Sequence, residues 1–255
     1  MILNTLEKLT KIHPPKWLSD NTHYLVIMGS EAYGVSIDTS DKDMYGFAIP
    51  PKEDVFPHLR GEILGFGKPV NRFEQWQEHH IKHNEYQYDF SVFSIVKYFQ
   101  LCMECNPNMI DSLFVPQNCI IHITSIGNLV RENRKIFLHK GAWFKFKGYS
   151  YSMLHKMQTK NPEGKRKEII DKFGYDTKYF YHLIRLLNEI EQILIEGDLD
   201  LQRNNEQLKA IRRGEWTVQQ GIEYFNSKEK TLEELYSIST LQHSPNEILI
   251  ITLLL

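Results

Sequence analysis

The chain has little to staple it. Three cysteines, Cys102, Cys105 and Cys119, stand among 255 residues, an odd number that no disulfide framework uses in full, which fits a reducing cytoplasm. No long hydrophobic run is present: the most apolar stretch, residues 248–255, falls well short of the roughly 20 residues of a membrane-spanning helix, so no membrane partner is expected. Charge of one sign is not in excess. Lys plus Arg number 30 against 32 Asp plus Glu, a formal net charge of −2, which excludes a whole-molecule basic field for nucleic acid. Repeats and low-complexity tracts are missing too, and 42% hydrophobic with 24% charged content is ordinary globular composition. The N-terminus spaces Leu3, Leu6, Leu9 and Ile12 as a helix face rather than as the continuous core of a secretory signal.

What is there divides into two textures. In the first half, residues 24–28 form a short apolar run expected to be a buried strand ended by Gly29-Ser30, and residues 43–49 read as a second strand stopped by Pro50-Pro51. Residues 53–68 read mostly as loop. From Glu85, the alternation of Tyr86, Tyr88 and Phe90 with Gln87 and Asp89 predicts a half-buried strand, with a helix from about Val92 to Asn106-Pro107. A second helix follows with Pro107 in its first turn, then a strand over residues 119–123. Beyond Thr124 helical spacing takes over. This predicts an α+β protein: a mixed-sheet lobe over residues 1–130 and a helical, substrate-binding lobe over residues 131–255.

Chemistry concentrates in residues 28–47. Gly29-Ser30 directly follows a strand, where glycine permits close backbone approach, and free N–H groups with a hydroxyl suit phosphate oxygens. Asp41 and Asp43, two apart at a strand start, project from one face. A carboxylate pair shared with water and phosphates is the usual holding of Mg²⁺. Asp89, on a later strand, is the natural third carboxylate for a second ion in an in-line displacement at phosphorus. Taken alone, Asp-x-Asp is also an ordinary strand-edge pair, and Asp89 also reads as a cap for the helix after it.

These elements resemble the nucleotidyltransferase superfamily of polymerase beta, poly(A) polymerases and CCA-adding enzymes. More narrowly, Gly29-Ser30-x-Ala32-Tyr33-Gly34, Ser40-Asp41-x-Asp43-x-x-Gly46-Phe47, Asp89 with Lys97, and Asn106-Pro107-Asn108 are similar to the RNA-repair-pathway polymerase beta family, RlaP. Gly148-Tyr149-Ser150, Gly174-Tyr175-Asp176-x-Lys178 with His182 and Arg185, and Arg213-Gly214-Glu215-Trp216 extend the likeness across residues 20–225. The resemblance implies a polymerase beta-like mixed sheet followed by a helical lobe, Mg²⁺ or Mn²⁺, a nucleoside triphosphate (NTP) donor, and an RNA acceptor such as tRNA or another RNA end. It implies Asp41, Asp43 and Asp89 as catalytic metal ligands, and Gly29, Ser30, Ser40, Lys178 and Arg185 as nucleotide-binding residues. Glu31 after Gly-Ser, an acid- and His-rich stretch before Asp89, and the apolar end depart from that pattern.

In the helical half, Lys178, His182, Arg185 and Glu189 form one polar stripe, in which Lys178 and Arg185 are placed to hold a triphosphate or simply to face solvent. Residues 140–167 mix eight basic residues with aromatics, the composition of a single-stranded nucleic-acid surface and equally that of a helix with a packed face. A zinc reading of His79, His80 and His83 fails for want of a further ligand, and Cys102-x-x-Cys105 is a single pair read as buried thiols. Ser244-Pro245-Asn246-Glu247 has the form of a capping box before a terminal helix. A protein-nucleotidylating enzyme and a non-catalytic nucleotide or RNA sensor of the same fold stand as the alternative functions.

Overall fold

A computed structural model describes residues 1–36, 41–56, 72–159 and 163–255. Helix α1 (Ile2–Lys8) buries Leu3 and Leu6, while Leu9 stays half exposed beyond its end. Strand β1 (Thr22–Ile27) leads into the short helix α2 (Gly29–Ala32), β2 (Lys42–Ala48) and α3 (Lys52–Val55). The hairpin β3 (Gln75–His83) and β4 (Tyr86–Ser94) follows, then α4 (Ile95–Met103), α5 (Pro107–Phe114), β5 (Ile120–Ile123) and α6 (Ser125–Glu132).

The five strands lie in the order β3-β4-β2-β1-β5, with β2 and β4 parallel and the other pairs antiparallel. This is a mixed sheet, as the α+β expectation required. Both faces are buried: Tyr24 and Phe47 pack under α4 and α5, where the Tyr24 hydroxyl donates to the Ser112 carbonyl at 2.8 Å and the Phe47 and Tyr98 ring centres lie 5.1 Å apart, while Phe90 and Val92 lie on the opposite face with Trp76. Gly46 belongs to this packing, because a Cβ there would overlap the Tyr24 carbonyl on the neighbouring strand.

Local chemistry accounts for the element ends. The Ser94 hydroxyl accepts from Lys97 N–H at 3.1 Å to start α4, and the Asn106 side-chain Oδ1 from Asn108 N–H at 3.1 Å to start α5. The expected helix near Val92 therefore begins three residues later, because parallel pairing with β2 carries β4 on to Ser94. Strand β3, which the sequence pattern missed, forms where its polar and histidine-rich residues have no apolar alternation to betray it. As an edge strand paired only to β4, it needs none.

The second half is helical: α7 (Ala142–Thr159), α8 (Lys165–Phe173), α9 (Thr177–Glu196), α10 (Asn205–Arg212), α11 (Val218–Ile238) and α12 (Glu247–Leu254). Helix α9 is its axis, packed against α7, α8, α10 and α11 and buried on nearly every side. Asp176 caps it, accepting from Lys178 N–H at 2.9 Å and Tyr179 N–H at 3.1 Å, and Gly197 ends it in the left-handed conformation. The cap of α12 is Asn246, which accepts from Leu249 N–H at 3.1 Å, rather than Ser244. Of that apolar helix Ile250 is buried, while Ile248, Leu249 and Ile251 are exposed. All three cysteines are buried thiols, and among the described residues no helix is long and apolar enough to cross a membrane.

Candidate active site

The site forms at one end of β1, β2 and β4. After Ile27 the chain turns through Met28, whose N–H donates to the Asp43 carbonyl at 2.7 Å and so ties the turn to β2. Gly29 has φ +66, a left-handed conformation, and a Cβ there would overlap Asp43 Oδ2. Glycine is thus required twice at this position. Ser30, half-buried, is the second residue of α2.

Asp43 and Asp89 are register partners on the parallel strands β2 and β4, so two carboxylates face each other across one ladder step. Asp41 lies immediately before β2, exposed. Lys42 between them points to the opposite face, where it pairs with Glu31 and lies over the Tyr86 ring at 4.8 Å. Burial raises the Asp43 pKa above the ordinary range; Lys178 opposes this, and the negative charges of Asp89 and Asp41 reinforce it. An acid held up by its acidic neighbours is a group that gains from a cation. The Tyr45 phenol is pushed up to about 12 by its own burial and then by the charge of Asp43.

A cleft of about 410 Å³ opens on this face, lined by Met28, Gly29, Tyr33, Asp43, Tyr45, Asn108 and His182. Lys178, exposed on the first turn of α9, is the main cation acting on Asp43 from the helical half. His182, one turn on, is held well below its ordinary pKa by burial and by the charges of Arg185, Lys178, Arg166 and Arg212, so it stays neutral. The structure thus sets Asp43 against Gly29 and beside Asp89, with Asp41 and Lys178 near enough for their charges to act on it. Ser40 lies outside the described residues.

Arg185 is elsewhere. It is 4% exposed, with its guanidinium paired to Asp111 and, at 2.8 Å, to Glu189, and its charge 4.2 Å from the centre of the Tyr33 ring. The Tyr33 hydroxyl donates to Asp111 at 2.9 Å. Arg185 therefore meets the cleft through Tyr33, its Nη1 being held between two buried acids and its Nε buried without a hydrogen-bond partner. Burial pushes the Glu189 carboxyl up to about 8, against the pull of Arg185. Gln202, whose Nε2 donates to the Ala32 carbonyl at 3.2 Å, and Arg212, which donates to the Val35 carbonyl, clasp the same turn. The helical half thus holds residues 29–35 from behind.

Sequence reasoning carried Tyr33 and Asn108 in the family pattern without giving them a role, and missed Asp111. Asp111 had a signal, as a lone acid among Met109, Ile110, Leu113 and Phe114 in an apolar helix. The basic aromatic stretch is largely spent on structure: Trp143 and Phe146 are buried, Lys147 pairs with Glu229 and Glu233 at 2.8 and 2.9 Å, and Lys145 with Glu104 at 3.5 Å. Among the described residues no three His, Cys, Asp or Glu side chains are already gathered to hold a metal ion.

None of the curated proteins compared with the chain matches it. A family model does, described as the RNA repair pathway DNA polymerase beta family and matching residues 1–234, well over half of the length. The sheet of Gly29, Asp43 and Asp89 and the helices behind it are accordingly those of a polymerase beta-like nucleotidyltransferase, and the chain belongs to the RlaP family.

Proposed function

We propose that the chain transfers a nucleoside monophosphate from an NTP to an acceptor hydroxyl at an RNA end, with release of pyrophosphate. The observation that carries this reading is the pairing of Asp43 with Asp89 beside the Gly29 turn. Their all-oxygen chemistry, and the raised Asp43 pKa that a nearby cation would relieve, fit Mg²⁺ or Mn²⁺ held jointly with substrate phosphates. Such ions, when bound, supply charge stabilisation at the phosphoryl oxygens and lower the pKa of the attacking hydroxyl.

The residues divide the remaining work. Asp41 and Asp43 hold the donor end with its ions, the backbone at Gly29 and the Ser30 hydroxyl take the β- and γ-phosphates, and Lys178 balances their charge from α9. Asp89 faces the acceptor hydroxyl, whose oxygen forms the new bond to the α-phosphorus as the bond to pyrophosphate breaks; its proton passes to Asp89 and on to water. Neutral His182 offers the nucleotide a hydrogen bond without adding charge. Arg185 acts at one remove, by fixing Tyr33 behind the turn.

The test incubates the purified chain with Mg²⁺, each α-labelled NTP in turn and total cellular RNA, resolving RNA and protein on one gel. Label on RNA that vanishes in Asp41→Asn is the expected result and names the nucleotide. Label on protein alone assigns the chain to protein nucleotidylation, and bound NTP with no label on any acceptor assigns it to sensing.

A further inference from the structure

Opposite Asp89 the edge strand carries one residue too many. Glu78 pairs with Phe90 and Ile81 with Tyr88, so His79 and His80 together face Asp89. Such a bulge bends its strand and re-aims the groups beside it, and bulges are over-represented next to active sites. Here three groups converge on one carboxylate oxygen. The His80 N–H donates to Asp89 Oδ1 at 2.6 Å, while His79 Nδ1 and His80 Nδ1 stand off at 4.0 and 3.8 Å. Only the amide is within hydrogen-bond reach.

The amide arrives there by an unusual route. His80 has φ +61, left-handed backbone that a residue with a Cβ rarely adopts. Gln87, two residues before Asp89 on the same face of β4, sets its Nε2 3.0 Å from His80 Nδ1 and steadies the ring. Strain of this kind persists where the surroundings over-determine it, and it gathers at functional sites. The position in the sheet gives it meaning. Reading across the strands, the Gly29 turn follows β1, Asp43 sits on β2, Asp89 on β4 and the bulge on the edge strand β3. The bulge therefore flanks Asp89 on the side away from the phosphate turn, the side left to an acceptor.

We propose that the His79–His80 bulge is a positioning device for Asp89, in which the His80 main-chain N–H holds one carboxylate oxygen so that the other faces the acceptor hydroxyl. This rests on the nucleotidyltransferase reading above. Because the working group is an amide, the device depends on the extra residue rather than on the imidazole it carries.

Deleting His80 pairs His79 with Asp89 and leaves Ile81 opposite Tyr88, removing the bulge alone. The deletion lowers the rate constant for label transfer at least 30-fold, with binding of a fluorescent ATP analogue (TNP-ATP) in Mg²⁺ held within about twofold. Rebuilding the bulge with glycine, His80→Gly, returns the amide and rescues transfer. A folded deletion protein that transfers at the wild-type rate overturns the proposal, as does His80→Gly failing as badly as the deletion. Amide hydrogen exchange tests the contact without turnover: the His80 amide exchanges at least tenfold faster in Asp89→Ala than in the wild type, while the Trp76 amide is unchanged. Equal His80 rates in the two proteins overturn it even if the deletion protein does not fold. A wild-type chain that labels no acceptor contradicts the function reading instead, and the exchange comparison still decides the contact.

Discussion

The Asp43 carboxylate lies against the bare Cα of Gly29, in space that a Cβ would fill. The turn that follows β1 and the central carboxylate of β2 are thereby one unit, and neither can be altered alone. Gly29→Ala must both adopt a positive φ and push Asp43 aside. The backbone strain costs about 1–2 kcal/mol of stability, by the usual cost of a left-handed alanine. Displacing Asp43 costs far more in function. The expected result is transfer reduced about 100-fold with a melting temperature only a few degrees lower, read by label transfer and by circular dichroism on the same preparation.

Arg185 between Asp111 and Glu189 makes a different prediction, because here stability rather than chemistry is at stake. Arg185→Met removes the cation held between the buried acids Asp111 and Glu189, and breaking such a buried ion pair destabilises by about 3–5 kcal/mol. Urea unfolding should show that loss. Were Arg185 a phosphate ligand with a free guanidinium, the variant would instead keep its stability and lose NTP affinity.

The same cluster sets a pH dependence. Glu189 is held at about 8 in the folded chain against an ordinary 4.5, so between those values the folded state keeps a proton the unfolded state has released. Stability contributed by this group is complete below about 4.5 and is lost progressively as pH rises to about 8. Glu189→Gln carries no such proton. Melting temperatures of the wild type should fall from pH 5 to pH 8 more steeply than those of the variant, and parallel curves would contradict the assignment.

Lys178 is exposed on α9 and opposes the raised pKa of Asp43. Lys178→Met should weaken NTP binding about 10-fold with little change in stability, since an exposed lysine carries little of the fold. Titration with TNP-ATP in Mg²⁺ measures it. Unchanged affinity would remove Lys178 from the triphosphate site.

How far the sequence reveals all this depends on which interactions are local. The strands β1, β2, β4 and β5 were legible because apolar or alternating residues and their Pro or Gly stops lie within a few positions of one another. That Asp43 and Asp89 share a face was legible because strand period fixes the face a side chain takes, whereas Asp41, expected on the same strand face as Asp43, lies just before β2. Strand β3 was not, since its pairing with β4 supplies what its polar residues lack, and the bulge at His79–His80 is a matter of register with no signature in either strand alone. Arg185 shows the opposite failure. A polar stripe on α9 looks solvent-facing until the partner Asp111, 74 residues away, is in place.

The most direct test of the account compares label transfer by the wild type with that by Asp43→Asn and by Asp89→Asn, each shown by thermal melting to be folded. Removing either carboxylate should lower transfer from α-labelled NTP by more than about 100-fold, as loss of metal stabilisation worth several kcal/mol requires. Turnover retained in the folded Asp43→Asn, Asp89→Asn double variant would contradict the assignment of the β2–β4 carboxylates as the catalytic centre.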